Sequence, residues 1–379
     1  MHHLDGKING SGQKKILALD GGGIRGLITI EILAKIEAEL RIREKNKKLV
    51  LAEYFDFVAG TSTGALIAAA ICMGKSVAEI RDFYEESGRE MFDRRMFLPN
   101  IAKYTTGYEY CSEALTAKLK KVFGKKTTLG SKKLKTLLLI VMHNTKTDSP
   151  WPLSNNPKAK YNNLENYGTE SNLHLPLWQL LRASTAAPTF FKSEVIKIGK
   201  QKFSFVDGAL TPYNNPSFQA YLMSTLNAYN IAWEKGEEKL LLVSVGTGMS
   251  KLSNTKEEVT ERGIFSHAKE TPAYLLNSIS YQQDLLCRIF GKCRVGHELD
   301  REIGDLKGEN GSGCTHENLF TYLRYDVELD KKRLKELDLS HLDPQDIKEL
   351  DAVKNMKHLQ EIGRKVAKNE VCIDDFRGF

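Results

Sequence analysis

Two apolar runs that each end in a glycine-rich turn and then pass into a helical pattern constrain this chain more than any other feature of its sequence. Residues 15–20 (KILALD) lead into Gly21-Gly22-Gly23-Ile24-Arg25-Gly26, and residues 27–41 carry apolar side chains at helical spacing through Leu27, Ile30, Leu33, Ile36 and Leu40. Residues 54–59 (YFDFVA) repeat the arrangement, running into Gly60-Thr61-Ser62-Thr63-Gly64 and a small-residue helix over 65–73. Further apolar runs at 137–142, 203–206 and 240–245 alternate with helical segments at 177–184 and 216–229. Strands alternating with helices bury both faces of a mostly parallel sheet, so the fold class is α/β in three layers, helices either side of a central sheet.

Beyond Gly248 the character changes. Residues 249–313 are polar and mixed, with a helical stretch at 272–290 and a glycine-rich turn at 308–313; a strand is expected at 320–329, and 331–368 reads as charged helix with a start signal at Asp343-Pro344. The expected organisation is a flexible segment over 1–13, a main domain over 14–250, and a C-terminal extension over 251–379 packed on it, in which 251–313 would cover the site. With 41% hydrophobic and 27% charged residues the chain can bury a core. The longest apolar run, 65–73, is too short to span a bilayer, and the N-terminus has no apolar signal core, so a cytoplasmic protein is expected.

The six cysteines show no C-x-x-C spacing, and Cys287, Cys293, His297, Cys314 and His316 match no standard zinc pattern, so no metal site is expected. A net charge of +7 favours anionic partners without choosing among nucleic acid, nucleotides and a membrane surface.

Three motifs carry chemistry. Gly60-x-Ser62-x-Gly64 between a strand and a helix is the setting in which a sharp turn exposes a serine hydroxyl at a strand end, with a helix N-terminus behind it to favour negative charge. Gly21-x-Gly23-x-x-Gly26 also matches a dinucleotide fingerprint, but that reading needs a second strand ending in an acidic residue about 20 positions later. Here that region is EAELRIREKNKK, a charged helix end. The glycines suit an oxyanion hole instead, with backbone N–H groups unobstructed by side chains. Asp207-Gly208-Ala209 directly follows an apolar strand, which places a carboxylate where it can act as base for a serine, provided burial raises its pKa.

Taken together and in this order, D-G-G-G-x-R-G, G-x-S-x-G and D-G-A resemble the patatin-like phospholipase family, over residues 14–250. The segment 184–191 (STAAPTFF), Asn214-Asn215-Pro216 and 244–248 (SVGTG) look like further landmarks of the same family. The resemblance implies a patatin-like catalytic domain with Ser62 as nucleophile, Asp207 as base, and the Gly22, Gly23 and Arg25 amides as oxyanion hole, with Gly21, Gly26, Gly60, Gly64 and Gly208 as motif glycines. It implies a dyad needing no cofactor or metal, which agrees with the nine histidines, none of which stands at a motif position typical of a triad. Ala209 replaces the family's commoner glycine without touching the carboxylate. The implied substrate is membrane glycerophospholipid, cut at the inner face of the membrane.

Residues 320–325 (FTYLRY) and 374–379 (DDFRGF) look like bacterial patatin-like effectors of anti-phage defence. That resemblance implies a cyclic dinucleotide activator made by a partner nucleotidyltransferase, with no nucleic acid bound. The competing reading is a constitutive esterase or neutral-lipid hydrolase indifferent to nucleotides. Oligomeric state is left open by the sequence.

Overall fold

The computed structural model describes residues 2–92, 112–188, 190–249, 264–307, 317–349 and 353–379. Among these, nine strands form one sheet: β1 Lys14–Leu19, β2 Phe57–Thr61, β3 Leu137–Asn144, β4 Ser149–Ser154, β5 Glu194–Ile198, β6 Gln201–Asp207, β7 Leu240–Val245, β8 Lys292–Val295 and β9 Thr321–Tyr325. Their order is β5-β6-β3-β2-β1-β7-β9-β8, with β4 also on β3; the stretch from β3 to β8 is parallel, and β4, β5 and β6 are antiparallel additions at one end.

The longer helices are α1 Gly26–Arg43, α2 Thr63–Cys72, α3 Val77–Phe92, α4 Ser112–Phe123, α5 Leu177–Ser184, α6 Ser217–Thr225, α7 Ile264–Phe290 and α8 Met356–Glu370. They lie on both faces, because successive strand side chains point to opposite sides. On β1, Leu17 and Leu19 join a core with Ile28 and Leu33 of α1 and Leu359 of α8, whereas Ile16 and Ala18 join a second core with Ala220 of α6 and Trp233. Helix α2 is buried on every side, as its uninterrupted run of small and apolar residues requires.

Several expectations are revised. Tyr54 belongs to a helical turn, Leu51–Tyr54, and the strand begins at Phe57; a short apolar run fits the end of a helix as well as a strand. The strand at 203–206 is the second arm of an antiparallel hairpin with the half-exposed β5, turning at Gly199 with φ +58°. The charged helix expected over 331–368 is broken into Lys331–Glu336, Pro344–Ile347 and α8, with Asp338 in the left-handed region (φ +58°) after the first piece.

The N-terminal segment makes contacts with the main body: Leu4 and Ile8 are buried, and the Trp233 indole donates to the Ile8 carbonyl at 2.9 Å. Residue 250 marks no break in the sheet, since β9 pairs in parallel with β7 and α8 packs on α1, where a Cβ at Gly363 would crowd the Ile28 backbone. The two C-terminal stretches 320–325 and 374–379 meet: Tyr325 of β9 donates to Asp375 at 2.7 Å.

No helix among the described residues is long and apolar enough to cross a membrane. None of their His, Cys, Asp and Glu side chains cluster in threes as a metal site; Cys287 and Cys293 are buried, His297 pairs with Glu370 at 3.1 Å, and Cys314 and His316 lie outside the described residues.

Candidate active site

The register of β3 brings the serine and the aspartate together. Strand β2 pairs with β3 as far as Thr61 opposite Val141, and β4 occupies the other edge of β3 from Leu139 to Asn144. The edge that β2 leaves free is taken up at the next position by β6, with Asp207 opposite Met142. Ser62 and Asp207, 145 residues apart in the chain, therefore emerge side by side, and the Ser62 Oγ donates to Asp207 Oδ2 at 2.7 Å.

Ser62 has φ +53° and ψ −122°, a backbone conformation unfavourable for a residue with a side chain. Its neighbours enforce that turn. A Cβ at Gly60 would run into the Gly64 backbone, and one at Gly64 into the Leu19 and Asp20 carbonyls, so strand and helix close on each other only with glycine at both places. The Ser62 N–H is held by Ser184 Oγ at 3.0 Å, and that hydroxyl in turn donates to the Val141 carbonyl at 2.6 Å. Ser184, at the end of α5, is fully buried.

Asp207 is 3% exposed, and burial pushes its pKa up to about 7 against the opposing pull of the Ala209 amide, the Ser62 hydroxyl and the nearby Arg182. The Ala209 N–H donates to Oδ1 at 2.8 Å, which fixes the carboxyl plane and leaves Oδ2 for Ser62. A carboxyl poised near neutrality can both take and return a proton at physiological pH. Among the described residues no histidine lines the cavity around this pair.

The glycine loop lies across from the serine. Gly21 donates its N–H to the Asn214 carbonyl and accepts from the Thr247 hydroxyl, both at 3.1 Å. The Arg25 amide, expected in the oxyanion hole, donates to the Gly22 carbonyl at 3.2 Å, because residues 23–25 form a 3-10 turn that consumes it. The Gly22 and Gly23 amides take no acceptor among the described residues, and both residues line the cavity with Ser62. Helix α1 continues to Arg43, so the second strand and acidic residue that a dinucleotide site needs are absent there.

The loop is held from below. The buried Arg324 of β9 binds Asp20 bidentately at 3.0 and 2.7 Å, Asp326 at 2.6 Å and Ser244 at 2.7 Å. Even with that cation beside it, burial raises the Asp20 pKa to about 6.

The cavity over Ser62 has a volume of about 400 Å³ and apolar walls, among them Leu66, Leu115, Phe190, Phe191, Leu210 and Met249. Leu275, Leu276 and Ile279 of α7 close one side, and Asn214 Nδ2 donates to Ser280 of the same helix at 3.1 Å. The segment expected to cover the site thus supplies a wall of it through its helix, while 250–263 and 308–316 lie outside the described residues.

A family model described as patatin-like phospholipase matches residues 17–221, more than half of the chain, spanning all three motifs. The chain belongs to the patatin-like phospholipase family. It is 28% identical over 235 residues to a protein named cGAMP-activated phospholipase of Escherichia coli (strain TW11681), covering 62% of each chain. It is 31% identical over 252 residues to the intracellular phospholipase A2 of Caenorhabditis elegans, covering 65% of this chain and 20% of that one. To patatin-like protein 1 of Arabidopsis thaliana it is 28% identical over 260 residues, covering 62% and 59%. The chain thus spans less than two thirds of the length of these curated relatives.

Within this patatin-like site, sequence reasoning missed Arg324, Asp326, Thr247 and Ser184 as supports. The first two lie past the boundary drawn near 250, and a strand arginine flanked by apolar residues gives no signal of its partner until the sheet order is known. Ser184 and Thr247 stood inside the segments taken as family landmarks, and their contacts supply a physical reason for those landmarks. For Ser184→Ala, which leaves the Ser62 N–H and the Val141 carbonyl without their partner, a loss of about 1–3 kcal/mol in urea unfolding is expected. Turnover should fall with it; unchanged stability and turnover would show that Ser184 does not hold the elbow.

Proposed function

We propose that this protein is a lipid acyl hydrolase that cuts fatty acids from membrane glycerophospholipids with a Ser62/Asp207 dyad. The observation that carries the reading is the 2.7 Å hydrogen bond from Ser62 to a buried carboxyl with a pKa raised to about 7, at the floor of an apolar cavity. Ser62 Oγ attacks the ester carbonyl carbon while its proton passes to Asp207 Oδ2, and the Gly22 and Gly23 amides receive the oxyanion. Asp207 returns the proton to the departing alcohol oxygen, leaving an acyl-enzyme and a lysolipid. Water then gives a proton to Asp207 and attacks the acyl carbon; collapse frees the fatty acid and restores the proton to Ser62. The helix N-terminus of α2 directly behind Ser62 adds a favourable field for the developing charge.

The apolar walls suit an acyl chain, and the net charge of +7 suits an anionic bilayer surface. Activation by a cyclic dinucleotide from a partner nucleotidyltransferase is part of the proposal, supported by the printed name of the Escherichia coli relative and by the resemblance of 320–325 and 374–379. Fatty-acid release from phosphatidylethanolamine and phosphatidylglycerol vesicles, with and without a panel of cyclic dinucleotides, tests both parts. Release by wild type and not by Ser62→Ala is expected, rising with one nucleotide. Release independent of Ser62 refutes the dyad, and Ser62-dependent release indifferent to every nucleotide makes the protein a constitutive lipase.

A further inference from the structure

Thr247 follows β7 and is buried, with its hydroxyl donating to the Gly21 carbonyl at 3.1 Å. On the other side of the same residue the Gly21 N–H is bound by the Asn214 carbonyl at 3.1 Å. Both peptide planes flanking Gly21 are therefore pinned, and the one between Gly21 and Gly22 matters most. A trans peptide holds its C=O and N–H in one rigid plane, pointing in opposite directions. A donor that fixes the Gly21 oxygen thus also fixes the direction of the Gly22 N–H, away from Thr247.

Three further observations agree with that geometry. Space demands glycine at position 22, since a Cβ there would collide with the Thr247 side chain. The Gly22 amide takes no acceptor among the described residues, and Gly22 lines the cavity with Ser62. A hydrogen bond into a carbonyl also polarises its amide, which makes the attached N–H a stronger donor.

We propose that Thr247 is a positioning residue for the tetrahedral intermediate, aiming and strengthening the Gly22 N–H through the peptide plane they share. This rests on the reading of Gly22 as part of the oxyanion hole. A donor directed at charge that exists only in the transition state acts on kcat and leaves KM alone. Thr247 touches no reacting atom; it acts through Gly22.

The test compares wild type with Thr247→Val, which keeps the shape and removes the hydroxyl, and Thr247→Ser, which keeps the hydroxyl. The readouts are kcat and KM on a short-chain p-nitrophenyl ester, affinity for an alkyl trifluoromethyl ketone that forms a tetrahedral adduct, and fluorophosphonate labelling of Ser62. For Thr247→Val we expect kcat lower by about 10- to 100-fold, below the cost of deleting an oxyanion donor outright. KM should stay within about twofold and ketone affinity should fall in proportion to kcat. Thr247→Ser should recover most of the rate, and Thr247→Ala provides the same comparison should the valine variant not fold. Wild-type kcat in Thr247→Val, a loss confined to KM, or a serine variant as impaired as the valine one overturns the proposal. A wild type that, with the panel of cyclic dinucleotides present, neither turns over the ester nor is labelled at Ser62 overturns the underlying hydrolase reading and this inference with it.

Discussion

Asp207→Asn is expected to lose activity by about 10³- to 10⁴-fold while becoming more stable than wild type above pH 7. The first effect follows from removing the carboxyl that accepts the Ser62 hydroxyl hydrogen bond, the one group among the described residues placed to take its proton, a role worth about 10²- to 10⁴-fold in general-base catalysis. The second follows from linkage. Burial holds the Asp207 carboxyl at about 7 in the folded protein against 3.8 as the ordinary value, so the folded state keeps a proton that the unfolded state has released. Its contribution to stability is full below pH 4 and is lost as pH rises through 7.

An asparagine carries no charge at any pH, and its side-chain oxygen can still accept the Ala209 N–H that caps the turn. The stabilisation should reach on the order of 2–4 kcal/mol at pH 8 and vanish near pH 4. Thermal melts at the two pH values check it. Equal stability of variant and wild type at pH 8 would mean that the carboxylate is not held against its preference, and the case for Asp207 as a base near neutrality would fall.

Arg324→Met carries the largest expected cost in stability. The guanidinium lies between two buried carboxylates, Asp20 and Asp326, and its removal takes away the cation that both of them bind, with the buried Arg25 still attracting Asp326. Breaking a buried pair from one side costs about 3–5 kcal/mol, whereas replacing all members with neutral groups is close to neutral. Urea unfolding should therefore show that loss for Arg324→Met, with much of it recovered in the triple variant Asp20→Asn, Arg324→Met, Asp326→Asn. Asp20 leads directly into the glycine loop, so turnover should fall with the single variant even where it remains folded. A single variant within 1 kcal/mol of wild type, as for a solvent-exposed pair, would contradict this account of the loop.

The parts of this protein legible in the sequence are those in which a local pattern and a chemical requirement coincide. The strand–turn–helix units around Gly21-Gly22-Gly23 and Gly60-x-Ser62-x-Gly64 were readable because a sharp turn between buried elements tolerates little besides glycine, and the apolar runs set the strands. The glycine loop was readable, but the 3-10 turn that takes the Arg25 amide depends on backbone geometry that spacing does not report. The C-terminal residues were harder. Lys292–Val295 and Thr321–Tyr325 enter the sheet beyond β7, a position fixed by long-range pairing, so a change in composition near 250 looked like a boundary where the sheet has none. The support of the glycine loop by Arg324 follows from that pairing, which sets β9 beside β7 and two strands from β1.

The most direct test of the central claim is the rate of Ser62 labelling by a fluorophosphonate between pH 5 and 9, with the modified residue identified by peptide mass spectrometry, in wild type and Asp207→Asn. Modification at Ser62 alone is expected, with a rate that rises through a single ionisation near pH 7 and a slow rate without that rise in Asp207→Asn. Modification at another residue, or a pH profile unchanged by Asp207→Asn, would contradict that claim.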